Sequence, residues 1–186
     1  MTAVHRDQVK GQRFGLLADT HDDAVDWPTA LDLIRAAMGE VDGIIHCGDL
    51  CTGRALETLS AIAPVWAVRS RADAPAAPPL LVEGPRILEA GRVRIGVVSS
   101  LSAAPVGAEV DPAVRFVRTA GRDVADRLFG GIVDVCVFGG THRAEIVATG
   151  GTLFVNPGSP TLAARRSLGV LVVDGQSASV DVRPIG

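Results

Sequence analysis

Arg13-Phe14-Gly15-Leu16-Leu17-Ala18-Asp19-Thr20-His21 is an apolar run that ends in a carboxylate and an imidazole one residue apart. Residues 13 to 19 read as a short buried strand. Past its end the chain leaves the pleat and turns, so Asp19 and His21 are able to face one ion. A helix follows, with Asp26 as its N-cap, Pro28 in the first turn, and Leu31, Leu33, Ile34 and Met38 at helical spacing. Strand then helix opens an α/β unit.

The pattern repeats downstream. Gly43 to His46 reads as a strand, Arg54 to Ile62 as a helix with Leu56, Leu59 and Ile62 on one side, and Pro64 to Val68 as a third strand. Such alternation predicts a parallel sheet whose site lies at the carboxyl ends of its strands. Residues 72 to 80, rich in Ala and Pro, read as a loop. Arg86 to Ala90 and Arg92 to Val98 read as hairpin partners about Gly91, followed by a polar loop from Ser99 to Pro112. A helix is expected from Asp111 or Pro112 to about Phe129. The remainder is mainly β: Val133 to Phe138, Ala144 to Ala148, Thr152 to Val155, Leu168 to Asp174 and Ala178 to Val182, with Gly150-Gly151 and Asp174-Gly175 as hairpin turns. The sum predicts an α/β fold with a two-sheet β-sandwich core flanked by helices. Residues 1 to 12 are polar and mixed in charge and read as an N-terminal extension, with His5 in a tail; residues 13 to 186 read as one domain.

The chain's 186 residues suffice for one substantial core. Apolar residues make up 47% and the formal net charge is −3, which argues against both a disordered chain and a polyanion-binding surface. No stretch approaches the roughly 20 apolar residues that span a bilayer, and the first residues carry no hydrophobic secretory core. A cytoplasmic location is the expectation, as is the absence of membrane insertion. Cys47, Cys51 and Cys136 are odd in number and lie in or near apolar runs, as buried thiols of a reducing compartment would.

Asp19 and His21 alone would read as a turn cap and an exposed histidine. Asp49 changes that, because His46-Cys47-Gly48-Asp49 again sets an acid directly after a buried strand. Gly139-Gly140-Thr141-His142 brings an imidazole to the end of a third. Two carboxylates and two imidazoles at one sheet edge form an oxygen-and-nitrogen site suited to Mn²⁺, Fe²⁺ or Zn²⁺. Cys47 and Cys51 beside His46 lack a fourth ligand, and Cys47 should point into the sheet opposite its neighbours, which argues against a structural zinc site there.

From about Arg13 to Val182 the chain resembles the calcineurin-like metallophosphoesterase superfamily, in particular its small phosphodiesterases and the retromer subunit of the same fold. The resemblance rests on Asp19-Thr20-His21, His46-Cys47-Gly48-Asp49, Ser70-Arg71-Ala72-Asp73, Ser99-Ser100-Leu101, Gly139-Gly140-Thr141-His142 and Asn156-Pro157-Gly158-Ser159-Pro160. It implies that Asp19, His21, Asp49 and His142 hold a first metal. The positions that would hold a second are Asp49, Arg71, Ser99 and Gly140, and three of these four are replaced; no histidine occurs between His46 and His142.

The resemblance therefore implies one divalent ion, Mn²⁺ before Fe²⁺ or Zn²⁺, and a phosphomono- or phosphodiesterase of reduced activity acting on a small phosphate ester or nucleotide. Asp49 would bind the ion and Arg71 would receive phosphate near it, unless Arg71 is a solvent-exposed loop arginine. Asp73 would act near the leaving oxygen or serve only a turn, and His46 reads as a core residue. The alternative is a non-catalytic scaffold with a protein partner, or a phosphate- or nucleotide-binding protein on the same fold. The loops Asp22 to Pro28, Ala72 to Leu80 and Ser99 to Pro112 carry no recognisable substrate-selecting element.

Overall fold

The computed structural model describes residues 3–73, 80–101 and 123–186. One six-stranded sheet runs β12 (Ser177–Pro184), β11 (Ser167–Asp174), β2 (Arg13–Leu17), β3 (Gly43–His46), β4 (Val65–Val68) and β5 (Leu81–Val82). The other runs β1 (His5–Val9), β6 (Arg86–Ala90), β7 (Val93–Val97), β8 (Val135–Val137), β10 (Thr152–Pro157) and β9 (Ala144–Thr149). Strands β2, β3, β4 and β5 are mutually parallel, while the β11–β12 and β9–β10 hairpins close the sheets antiparallel. Both sheets are thus mixed, and the α/β sandwich predicted from sequence is the observed architecture.

Side-chain alternation along the strands explains the layering. Phe14 and Leu16 of β2 join Ile45, Val68 and Leu171 in a core with Leu88, Ile95, Val97, Val137 and Val155 of the other sheet. Leu17, on the opposite face of β2, packs with Ile44, Val65 and Ala67 against helices α1 (Trp27–Met38) and α2 (Arg54–Ser60). Trp27, Ile34 and Met38 are buried there, and each contributes roughly 1.5–3 kcal/mol of burial, so together they outweigh any cap on α1. On the far side, Val124, Ala125 and Phe129 of the helical residues 123–129 cover Ile87, Cys136 and Phe154. The earlier part of the helix expected to end near Phe129 lies outside the described residues, as does most of the loop after Ser99.

One boundary needs correction. The expected N-terminal extension is a strand: His5–Val9 pairs in parallel with β6, register His5 to Arg86 through Val9 to Ala90. Its polar sequence concealed it because only Val9 is buried, so no hydrophobic alternation marks this edge position. Side chains reinforce the backbone pairing, since Arg86 Nε donates to Asp7 at 2.7 Å while Arg86 Nη1 donates to the carbonyl of Ala67 in the other sheet at 3.3 Å. His5 is likewise tied down, 3.1 Å from the carbonyl of Glu83.

Candidate metal centre

Parallel pairing of β2 and β3 continues past both strand ends. The N–H groups of Asp19, His21 and Asp22 donate to the carbonyls of Gly48, Asp49 and Leu50 at 2.9–3.0 Å. The two loops therefore advance side by side and deliver Asp19, His21 and Asp49 to one edge. The residues after β8 supply His142 from the other sheet.

Backbone conformation sets these residues apart. Among the described residues, the non-glycine positions with positive φ are Asp19 (54°), His21 (41°), Asp49 (57°), Cys51 (75°) and His142 (56°). Four are the predicted ligands. Each such residue costs roughly 1–3 kcal/mol and persists only where its surroundings impose it, and clustering of that strain points to a functional site.

His21, Asp49 and His142 come together, with one donor atom from each lying within 4.8 Å of the others. The Nε2 atoms of His21 and His142 face each other at 3.2 Å. Two nitrogens bound to one ion at roughly 2.0–2.1 Å are separated by about 3.0–3.4 Å, so this pair already has the spacing of two ligands on a common centre. Asp19 stands beside the triad rather than in it. It is fully buried, and its carboxylate accepts from Gly140 N at 2.8 Å and 3.0 Å and from His142 N at 3.1 Å. Burial raises its pKa, and the two backbone donors oppose that rise without cancelling it. Oδ1 keeps a free lone pair for an ion. A Cβ on Gly139 would sit 2.8 Å from Ala18 Cβ and 3.0 Å from Asp19 Oδ1, so only glycine admits this approach.

Of the two roles that its motif leaves open for Asp73, the hydrogen bonds are those of a turn. Its carboxylate turns inward and accepts from the N–H groups of Asp49 (3.2 Å), Leu50 (2.5 Å), Cys51 (3.0 Å) and Ser70 (2.8 Å). Burial pushes its pKa up, but the backbone donors together hold it below the usual value. A carboxylate so engaged anchors the Asp49 loop. Asp22, in the loop that follows His21, does the same from the other side. Fully buried, it accepts from Thr52 N at 2.9 Å and Ala55 N at 2.8 Å and from the Thr52 hydroxyl, thereby capping α2 from a distant segment. No local spacing signals a cap that comes from 33 residues upstream.

The remaining motif residues divide clearly. Arg71 is exposed and makes no hydrogen bond to Asp49 among the described residues. Ser99 accepts at its carbonyl from Gly139 N at 3.3 Å, and Gly140 lies near Ser99 and Ser100. His46 is buried; its Nδ1 accepts from Gly48 N at 3.0 Å and its Nε2 lies 3.3 Å from the Thr20 hydroxyl. Burial lowers its pKa to about 4, so it is a neutral core histidine. Asn156 and Ser159 buttress the centre: Asn156 Nδ2 donates to the Thr141 hydroxyl at 3.0 Å, and Ser159 donates to the Asp19 carbonyl at 2.8 Å. Cys47 and Cys136 are buried free thiols, whereas Cys51 is only half-buried and lies against His21.

Two stacked mixed sheets with carboxylates and imidazoles gathered on the loops past their strand ends define an α/β protein with a divalent-metal ligand cluster. The chain belongs to the calcineurin-like phosphoesterase superfamily, whose domain model matches residues 13–178. It is 32% identical over 150 residues to a probable metallophosphoesterase of Methanocaldococcus jannaschii, covering 80% of this chain and 68% of that protein. Among solved structures it resembles Vps29 of Chaetomium thermophilum, at 23% identity with a TM-score of 0.71, covering 94% of this chain and 86% of that one. Vps29 of Entamoeba histolytica in complex with Zn²⁺ shares the fold at 19% identity, TM-score 0.65, covering 94% and 99%. Among the described residues no helix is long and apolar enough to cross a membrane.

Proposed function

We propose that this chain hydrolyses phosphate esters using one divalent ion held by His21, Asp49 and His142, with Asp19 completing the set. The observation that carries this reading is the gathering of those three donors by residues in left-handed backbone conformation. Two nitrogens and carboxylate oxygens suit Mn²⁺, with Fe²⁺ or Zn²⁺ as alternatives. When bound, the ion would supply a Lewis acid and an activated water. The chain's own residues then orient that centre: Gly140 and His142 N–H groups fix Asp19, while Asp73 and Ser70 fix the backbone of Asp49. Arg71, exposed on the loop that leads into Asp73, is the cation this reading assigns to the phosphate. Since Arg71, Ser99 and Gly140 stand where a second ion's ligands would be, we infer low turnover.

Assay of a chromogenic phosphodiester and phosphomonoester with and without Mn²⁺ tests this. Hydrolysis should require the metal and fall by at least about 100-fold in Asp49→Ala, the upper end of what even an indirect support of a ligand costs. Equal turnover by wild type and Asp49→Ala would remove the proposal.

A second reading is supported by the likeness to Vps29 over 94% of this chain, together with the three replaced positions. It is a non-catalytic protein that binds a phosphate, a nucleotide or a protein partner. Metal binding with no turnover on either substrate would favour it.

A further inference from the structure

Both ring nitrogens of His21 are engaged, and they face different surroundings. Nε2 faces His142, and on the other edge of the ring Nδ1 lies 3.1 Å from Cys51 Sγ. The Asp23 carboxylate stands close by, with His21, Asp23 and Cys51 bringing one donor atom each within 4.8 Å of one another. Cys51 is held in this place at a cost. Its φ of 75° is left-handed, a conformation imposed in part by Asp73, which takes its N–H at 3.0 Å.

The chemistry of the three groups orders their hydrogens. A carboxylate oxygen accepts, so a hydrogen bond across this short gap would come from the Cys51 S–H. The sulfur would then have only lone pairs to offer His21, and Nδ1 would carry the ring hydrogen and donate it. A neutral imidazole with its hydrogen on Nδ1 presents its lone pair at Nε2, the atom that faces His142.

We propose that Asp23 and Cys51 form a hydrogen-bond relay that fixes the tautomer and ring plane of His21, making Cys51 a positioning residue for the metal cluster. This rests on His21 being a ligand, and it adds a role for a thiol that lies outside the motifs. A ligating histidine ordinarily gives its second nitrogen to a carboxylate, a carbonyl or water; here a thiol stands between the imidazole and the carboxylate.

Long-range ¹H–¹⁵N NMR of the metal-free protein reads the tautomer directly, with His21 assigned by substitution. His21 should carry its hydrogen on Nδ1 in wild type and in Cys51→Ser, whose hydroxyl can both accept and donate, and should become a mixture in Cys51→Ala. An Nε2-protonated ring in wild type, or an unchanged spectrum in Cys51→Ala, overturns the proposal. Mn²⁺ titration gives the functional arm: Cys51→Ala should bind roughly 10–100-fold more weakly, with Cys51→Ser close to wild type and Asp23→Asn between them. A purely packing role for the thiol would not be rescued by serine. A sulfur-to-metal charge-transfer band in the Co²⁺ protein would also overturn the proposal, by making Cys51 a ligand. If wild type binds neither ion, the metal reading fails, while the tautomer measurement still decides the relay.

Discussion

The two flanks of the cluster are built by opposite means. On one, His21, Asp49 and His142 hold left-handed backbone and aim their side chains at a common point. On the other, Ser99 gives its carbonyl to Gly139, Gly140 gives its N–H to Asp19, and Arg71 stands exposed. The first flank is strained side-chain chemistry and the second is relaxed backbone bonding. Strain persists only where neighbours enforce it. The enforcers here are two carboxylates that never reach the cluster, Asp22 and Asp73, which clamp residues 49–55 through backbone N–H groups.

The largest expected effect follows from that clamp. Asp73→Ala strips partners from four N–H groups and should cost roughly 4 kcal/mol of stability, since each hydrogen bond to a charged group is worth about 1.5–3 kcal/mol and water replaces part of the loss. Urea unfolding measures it. Asp73→Asn, which keeps an acceptor, should lose less. If instead Asp73→Ala unfolds at the wild-type midpoint yet no longer hydrolyses substrate, Asp73 belongs with the chemistry and the division between clamp and cluster is wrong.

Next in size is a pH effect beneath the strained flank. Unfolded His46 takes up a proton near pH 6.5, whereas the folded residue resists until about pH 4 because burial penalises the charged ring. The unfolded state therefore binds more protons across that window. The His46 contribution is fully present above pH 6.5 and is lost as pH falls towards 4. At 1.36 kcal/mol for each pH unit of displacement, the loss is on the order of 3 kcal/mol. The fall in unfolding free energy between pH 7.5 and pH 4.5 should be clearly smaller in His46→Gln. Equal falls in the two proteins would mean that His46 is solvated and that the floor of the Asp19 and Asp49 loops is open to water.

Much of this arrangement was legible in the sequence because it is written in local periodicity. Strands β2, β3 and β4 announce themselves as apolar runs, and each candidate ligand stands at or just past such a run. What escaped is either non-local or polar. The His5–Val9 strand is held by pairing and by Arg86 rather than by burial. Asp22 caps a helix that begins 32 residues later, Asp73 binds backbone 22 to 24 residues earlier, and Cys51 meets His21 across 30 residues. Spacing along a chain carries no information about such meetings until the sheet has brought its loops together. A motif alone leaves both roles of Asp73 open, because the same acid in the same motif can face the ion or the backbone.

Arg71 gives the smallest effect and the most direct comparison of the flanks. An exposed guanidinium interacts with a substrate phosphate through water and salt, and such contacts are worth about 0–1 kcal/mol. Arg71→Ala should therefore raise KM by no more than about fivefold, with kcat nearly unchanged, and the difference should shrink as ionic strength rises. That pattern is the signature of a rim charge that gathers substrate without touching the reacting atoms. A loss confined to kcat and insensitive to salt would instead put Arg71 on the transferred phosphate. The replaced flank would then be a working half of the site in which a fixed cation stands in for a metal.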